Sequence, residues 1–104
     1  MGKRDNIREI TRLISLAATH IIGYFINPNS VYAEKYRKEF DNFIMQSKIV
    51  KLRENWNSYD KNLIKQEARK KTKDELTKRT HIDKIKFDLI YVEIDKVLRE
   101  LALS

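Results

Sequence analysis

The chain has 104 residues and a formal net charge of +7; with 41% hydrophobic and 36% charged residues, its composition is typical of one folded domain (1–104) with its own core. It contains no cysteine, which excludes disulfide bonds, thiol nucleophiles and thiolate metal sites. Its two glycines and one proline leave few turns, which argues against an all-β sandwich and favours long helices.

The first predicted helix covers residues 6–26 and is apolar on almost every side over its second half. Asp5 is its expected N-cap residue. Because a helix that is apolar on nearly all sides is usually buried, it is predicted to lie at the centre of the domain. Ser15, Thr19 and Gly23 are spaced by four residues and form a row of small side chains, which lets a neighbouring helix approach closely.

A basic segment precedes this apolar run, a combination that superficially resembles a signal peptide. Asp5 and Glu9 in the basic segment and His20 within the run argue against that interpretation. The run, residues 13–26, is also shorter than the ~20 residues that cross a membrane. We therefore expect neither a signal peptide nor a membrane span, and the absence of cysteine fits a cytoplasmic location.

The second predicted helix begins near residue 28 or 31 and ends at residue 54. Its first half carries an aromatic row at helical spacing, formed by Tyr32, Tyr36, Phe40 and Phe43. Such a row is typical of a core face. The second half has its apolar positions on another face, formed by Met45, Ile49, Leu52 and Trp56. A break near residues 46–48 explains this change, and so does one long helix with different partners along its two halves. We favour the long helix.

The third predicted helix covers residues 59–79, with Ser58 as its N-cap. Its apolar residues scatter around the circumference instead of forming a stripe, so the helix is predicted to be mostly exposed and the least stable of the four. Its cations, in contrast, are ordered: a row at a spacing of four is formed by Lys61, Lys65, Arg69 and Lys73. We call these residues the cationic row.

The acids beside the cationic row are spaced to pair with other cations of the same helix. The predicted pairs are Glu67 with Lys71, Asp74 with Lys78, and Glu75 with Arg79. The cationic row is therefore predicted to have no acidic partner.

The fourth predicted helix covers residues 82–102. Its apolar seam keeps strict 3-4-3-4 spacing and consists of Phe87, Ile90, Ile94, Val97 and Leu101. Alternation between polar and apolar residues from residue 84 to residue 89 permits a short strand at 84–94 instead. The complete interpretation is an all-α, four-helix bundle-like domain.

No constellation of side chains indicates catalysis. The two histidines, His20 and His81, lie far apart in the sequence and neither belongs to a nucleophile–base motif. His20 is expected to be a satisfied buried histidine. Asp88, Glu93 and Asp95 lack the spacing of a metal-dependent nuclease and are expected on the solvent side of their helix. We predict a protein that is not an enzyme, with no catalytic residue, no metal site and no cofactor.

The cationic row spans ~18 Å along one helix face, since each step of four residues rises ~6 Å. A stripe of that length meets several phosphates of a DNA or RNA backbone. The predicted nucleic-acid-binding residues are Lys61, Lys65, Arg69 and Lys73, widened by Lys70, Lys71, Lys78 and Arg79. Lysine is more frequent than arginine in the row, which suits phosphate charge better than reading of base edges.

Two other interpretations stay open. The first and fourth helices carry more apolar surface than a lone bundle covers, so we expect a homodimer or a docked protein partner. The alternative function is accordingly that of a small helical subunit or adaptor whose charge serves solubility. Attachment to an anionic membrane is a weaker third interpretation.

Overall fold

The computed structural model describes residues 2–78 and 87–104, and within them every regular element is an α-helix. The helices are α1 (Lys3–Ile26), α2 (Ala33–Lys51), α3 (Ser58–Lys78) and α4 (Phe87–Glu100). The predicted all-α, four-helix bundle-like fold is confirmed. The strand alternative is wrong for residues 87–94, which are helical, and residues 84–86 lie outside the described residues.

Helix α1 is the centre of the fold, as its apolar sequence predicted, because each of the other three helices packs against it. Ile10, Ile14 and Ile22 have no exposed surface. The helix begins earlier than predicted, so Asp5 lies in its first turn and Gly2 occupies the N-cap position without a side-chain hydrogen bond.

The start of α1 is held by the connection between α2 and α3. The Lys3 ammonium donates to the Asn55 carbonyl oxygen at 2.9 Å, and the Asn6 amide donates to Glu54 Oε1 at 2.8 Å. These contacts explain why the helix extends to residue 3, beyond the range that its apolar pattern marked.

Helix α2 packs chiefly on α1, and it continues through residues 46–48, so the prediction of one long helix is confirmed there. Phe40 and Phe43 pack against the core as predicted. Tyr32 does not, because it precedes the helix in a turn and its side chain is 59% exposed. The helix ends at Lys51, whose carbonyl oxygen accepts a hydrogen bond from Trp56 Nε1 at 2.8 Å.

The prediction that α3 lacks a buried stripe is wrong. A row at a spacing of four is buried along α3 and consists of Asp60, Ile64, Ala68, Thr72 and Leu76. Hydrophobicity alone does not reveal this row because two of its members are polar and one is small. The structure satisfies the polar ones: Thr72 Oγ1, for example, donates to the Ala68 carbonyl oxygen at 2.7 Å. Helix α3 is thus packed against the bundle along this row.

Two of the small side chains of α1 face different neighbouring helices. Ser15 Oγ lies 3.3 Å from Thr72 Oγ1 of α3, so these two helices approach closely at that level. Gly23 faces α2, where a Cβ atom would lie 3.5 Å from the Tyr36 ring.

A capping box begins α3, and Asn57, not Ser58, is the N-cap residue. Asn57 Oδ1 accepts from the Asp60 backbone N–H at 2.8 Å, while Asp60 Oδ2 accepts from the Asn57 backbone N–H at 3.1 Å. The Lys3 ammonium lies 2.6 Å from the same carboxylate and so ties the start of α3 to the start of α1.

Acid is expected to weaken the contact of Asp60 with Lys3, which joins the starts of α1 and α3. The hydrogen bond from Lys3 lowers the pKa of the Asp60 carboxyl, and the Asn57 N–H lowers it further, whereas burial opposes both. Since the folded pKa is below the unfolded one, the stabilisation is complete above about pH 3.9 and is lost as the pH falls through the lowered pKa. Asp60→Asn should therefore be less stable than wild type in urea at pH 7, and the deficit should shrink at pH 3. An equal deficit at both pH values would show that ionisation of Asp60 is irrelevant to stability.

Helix α4 confirms most of the predicted seam. Ile90, Ile94, Val97 and Leu101 are at most 3% exposed, whereas the Phe87 side chain lies outside the part of the chain that the structure describes. Glu93 is also buried, contrary to the expectation that the acids of this helix all face solvent, and it accepts a hydrogen bond from Lys96 Nζ at 3.2 Å.

The helix ends in a Schellman motif in which the Leu103 N–H donates to the Leu98 carbonyl oxygen at 2.8 Å and Ala102 has a φ of 56°. This left-handed conformation costs a residue with a Cβ atom roughly 1–2 kcal/mol.

Ala102→Gly is therefore expected to raise the free energy of unfolding by about 1 kcal/mol, and Ala102→Val should lower it. Urea denaturation of the two variants checks the prediction, which fails if glycine destabilises the protein.

Candidate nucleic-acid interface

The cationic row lies along the edge of α3 that faces α4. Each of its members directly follows a residue of the buried row, so its side chain leaves the helix at the border between core and solvent. Lys61, Lys65 and Arg69 are partly buried there, while Lys73 is exposed. The row predicted from spacing is therefore present, but it forms one wall of a groove and not a fully solvated face.

The prediction that the cationic row has no acidic partner is wrong, because Asp95 of α4 pairs with Lys65 and Arg69. Asp95 Oδ1 of α4 lies 3.2 Å from the Arg69 guanidinium and 3.7 Å from the Lys65 ammonium. The partner was missed because it belongs to another helix, and spacing within α3 carries no information about it. Asp95 is 41% exposed, so these contacts are partly screened by water.

Arg69 also contacts an aromatic ring. Its guanidinium carbon lies 4.4 Å from the centroid of the Tyr91 ring, within the range of a cation–π interaction. The Arg69 side chain is 27% exposed, whereas Tyr91 is 46% exposed. Arg69 is thus held between Asp95 and Tyr91, both from α4.

Two depressions open between α3 and α4. The first has a volume of about 440 Å³ and is lined by Lys61, Asn62, Lys65, Asp95, Leu98, Arg99, Leu103 and Ser104. The second has a volume of about 350 Å³ and is lined by Gln66, Arg69, Lys70, Lys73, Ile90 and Tyr91. Lys61 and Lys65 thus line the first depression, and Arg69 and Lys73 line the second. We call the two depressions together the α3–α4 groove.

The other predicted binding residues divide among different surfaces. Lys70 lines the second depression with the cationic row. Lys71 lies on the opposite edge of α3, where it lines a separate depression of about 250 Å³ with Arg4 and Arg8 of α1. Lys78 lies at the end of α3, 4.0 Å from Glu75 and not beside Asp74, and Arg79 lies outside the described residues.

The sequence prediction missed the contribution of α4 to this surface. Arg99 adds a cation to the first depression, Tyr91 adds a ring to the second, and Asp95 adds the only carboxylate side chain among the described residues that line them. No sequence signal relates Asp95 or Arg99 to residues of α3.

His20 is a satisfied buried histidine, as predicted. Its Nδ1 lies 2.6 Å from the Leu16 carbonyl oxygen, and its Nε2 lies 2.6 Å from Glu39 Oε2 of α2. His81 lies outside the described residues. Among the residues that are described, no three His, Cys, Asp or Glu side chains are grouped so as to hold a metal ion.

Within residues 2–78 and 87–104, none of the helices has the length and apolar character needed to cross a membrane. Comparison with protein-family models, with curated proteins and with solved structures finds no match to this chain.

Proposed function

We propose that this protein binds nucleic acid, without catalysing a reaction, through contacts between the α3–α4 groove and the phosphate backbone. The observation that supports the proposal is the charge of the groove: apart from Asp95, the charged side chains of the described residues that line it are cationic. A groove lined by one sign of charge concentrates oppositely charged ligands and accelerates their association. Partial burial strengthens each contact because water screens it less.

The spacing of the cationic row suits a linear polyanion. Lys61, Lys65 and Arg69 follow one another at ~6 Å intervals along the helix axis, so they meet a chain of phosphates and not a single anion. Lysine dominates the row, which favours sequence-independent contact with phosphate charge. The absence of cysteine supports a reducing compartment, and we place the protein in the cytoplasm as part of the same proposal.

The direct test is titration of the full chain with a labelled duplex and a labelled single strand of about 20 nucleotides, at low salt and then with increasing salt. Affinity should fall steeply as salt rises. Failure to bind either probe at low ionic strength would refute the proposed function.

Asp95 is expected to restrain binding, because its carboxylate competes with phosphate for Lys65 and Arg69. Asp95→Asn should therefore tighten binding of both probes by about 3- to 10-fold at low salt. The fold should tolerate the change, since partly exposed ion pairs contribute only ~0–1 kcal/mol.

Asp41→Asn is the matched control, because it makes the same change in net charge at an exposed position of α2. Equal effects of the two substitutions would show that only net charge matters and would contradict a role for Asp95 in the groove.

A second candidate function, assembly through self-association, is favoured by one observation on α2. Met45 and Ile49 of α2 and Leu52, which directly follows the helix, form an apolar stripe and are 64%, 56% and 83% exposed. The same stripe of a second copy would cover it.

Sedimentation equilibrium should then detect a concentration-dependent dimer that Ile49→Glu abolishes, and a monomer at every concentration would contradict self-association.

A further inference from the structure

We propose that the α3–α4 groove prefers single-stranded over duplex nucleic acid because Tyr91 provides a platform on which one unpaired base stacks. The inference rests on the proposed function and adds the class of nucleic acid. The observation that carries it is the position of Tyr91, which lines the second depression together with Arg69, Lys70 and Lys73. An aromatic ring and phosphate-binding cations thus share one depression.

The Tyr91 ring is not required to fill the core. Ile90 and Ile94 are 3% and 0% exposed and form part of the buried seam, whereas Tyr91 is 46% exposed. A half-exposed ring at the edge of a groove is available to a ligand, whereas the partly buried rings of Phe40 and Phe43 in α2 pack against the core.

The platform is also held in place before a ligand arrives. The Arg69 guanidinium lies 4.4 Å from the Tyr91 ring centroid and 3.2 Å from Asp95 Oδ1, so three side chains of two helices fix one another. Both the ring and the planar guanidinium are surfaces on which a base can stack. A fixed platform loses little conformational entropy when a base binds.

Stacking on Tyr91 discriminates between single and double strands for a geometric reason. In a duplex, each base is already stacked on its neighbours along the strand, so its face is not accessible to a side chain. A single strand exposes those faces while its phosphates follow the cations of the groove. Because every base has an aromatic face, the same arrangement predicts little preference for sequence.

The test compares oligothymidylate of about 12 nucleotides with a duplex of the same length, using wild type, Tyr91→Leu and Tyr91→Phe. Wild type should bind the single strand more tightly. Tyr91→Leu should weaken single-strand binding by about 5- to 150-fold, which corresponds to the usual contribution of one stacked base, and should leave duplex binding within about twofold. Tyr91→Phe keeps the ring and should behave as wild type does.

A fluorescence measurement gives a second readout. In Tyr91→Trp, stacking of a base on the new indole should quench its emission when oligothymidylate is added but not when duplex is added. Emission from Trp56, which is partly buried beside the end of α2, gives the baseline and is measured in the wild type.

The outcomes separate this inference from the proposed function. Equal affinity of wild type for both probes, or equal weakening of both by Tyr91→Leu, would overturn the stacking platform and leave backbone binding intact. Absence of binding to both probes at low salt would overturn the proposed function and this inference together.

Discussion

Replacing Ile94 with alanine is expected to lower the free energy of unfolding by about 2–5 kcal/mol, the usual cost of truncating a fully buried isoleucine. Ile94 has no exposed surface and lies in the seam that packs α4 against α1 and α3. The loss combines reduced apolar burial with a cavity that rigid neighbouring helices fill only in part. Urea denaturation monitored by circular dichroism measures it.

Val92→Ala is the matched control, because Val92 is 47% exposed on the same helix and its truncation should cost less than about 0.5 kcal/mol. The pair also tests the secondary structure of this segment. In a strand, residues 92 and 94 would share a face and respond alike, whereas in a helix they lie on different faces. Similar losses of unfolding free energy for the two variants would contradict the helical structure of this segment.

Neutralising two members of the cationic row is expected to weaken binding of both single-stranded and duplex nucleic acid. Lys61→Gln/Lys65→Gln should weaken single-strand binding by roughly 10- to 50-fold near 50 mM salt, since each lost phosphate contact removes the gain from counterion release. Glutamine is preferable to glutamate at these positions, because a new carboxylate beside Asp95 would add repulsion within the folded protein.

Lys35→Gln/Lys38→Gln is the control for this double variant. Both lysines are exposed on α2 and pair with acids of the same helix, so the substitution changes net charge equally without touching the groove. Binding should fall by no more than about 3-fold. Equal weakening by the two double variants would show that binding depends on net charge alone.

The fold was predictable where apolar residues keep a regular period. The apolar run of α1 and the seam of α4 predict both helices, and the structure agrees for the buried face of α1 up to Ile22 and for the seam from Ile90 onward. Phe25 and Ile26, at the end of the run, are instead 48% and 38% exposed. The stripe of α3 was not predictable in this way. Asp60 and Thr72 occupy buried positions where Lys3 and Ser15 of α1 contact them, and those contacts are known only once the helices are packed.

The candidate site was likewise predictable only in the part that belongs to a single helix. The cationic row was visible because it depends on spacing within one helix. Asp95, Tyr91 and Arg99 join it from α4, and their positions depend on how α3 and α4 pack. The packing of α3 and α4 also gives Lys65 and Arg69 an acidic partner, Asp95. An anionic ligand of these two cations therefore has to compete with that carboxylate.

The slope of log K against log salt for a labelled single strand tests whether the α3–α4 groove binds a phosphate backbone, as we claim. We predict a negative slope for wild type that becomes shallower by about 1.4 in Lys61→Gln/Lys65→Gln, about 0.7 for each lost contact, and is unchanged in Lys35→Gln/Lys38→Gln. Identical slopes for wild type and the groove variant would contradict the claim.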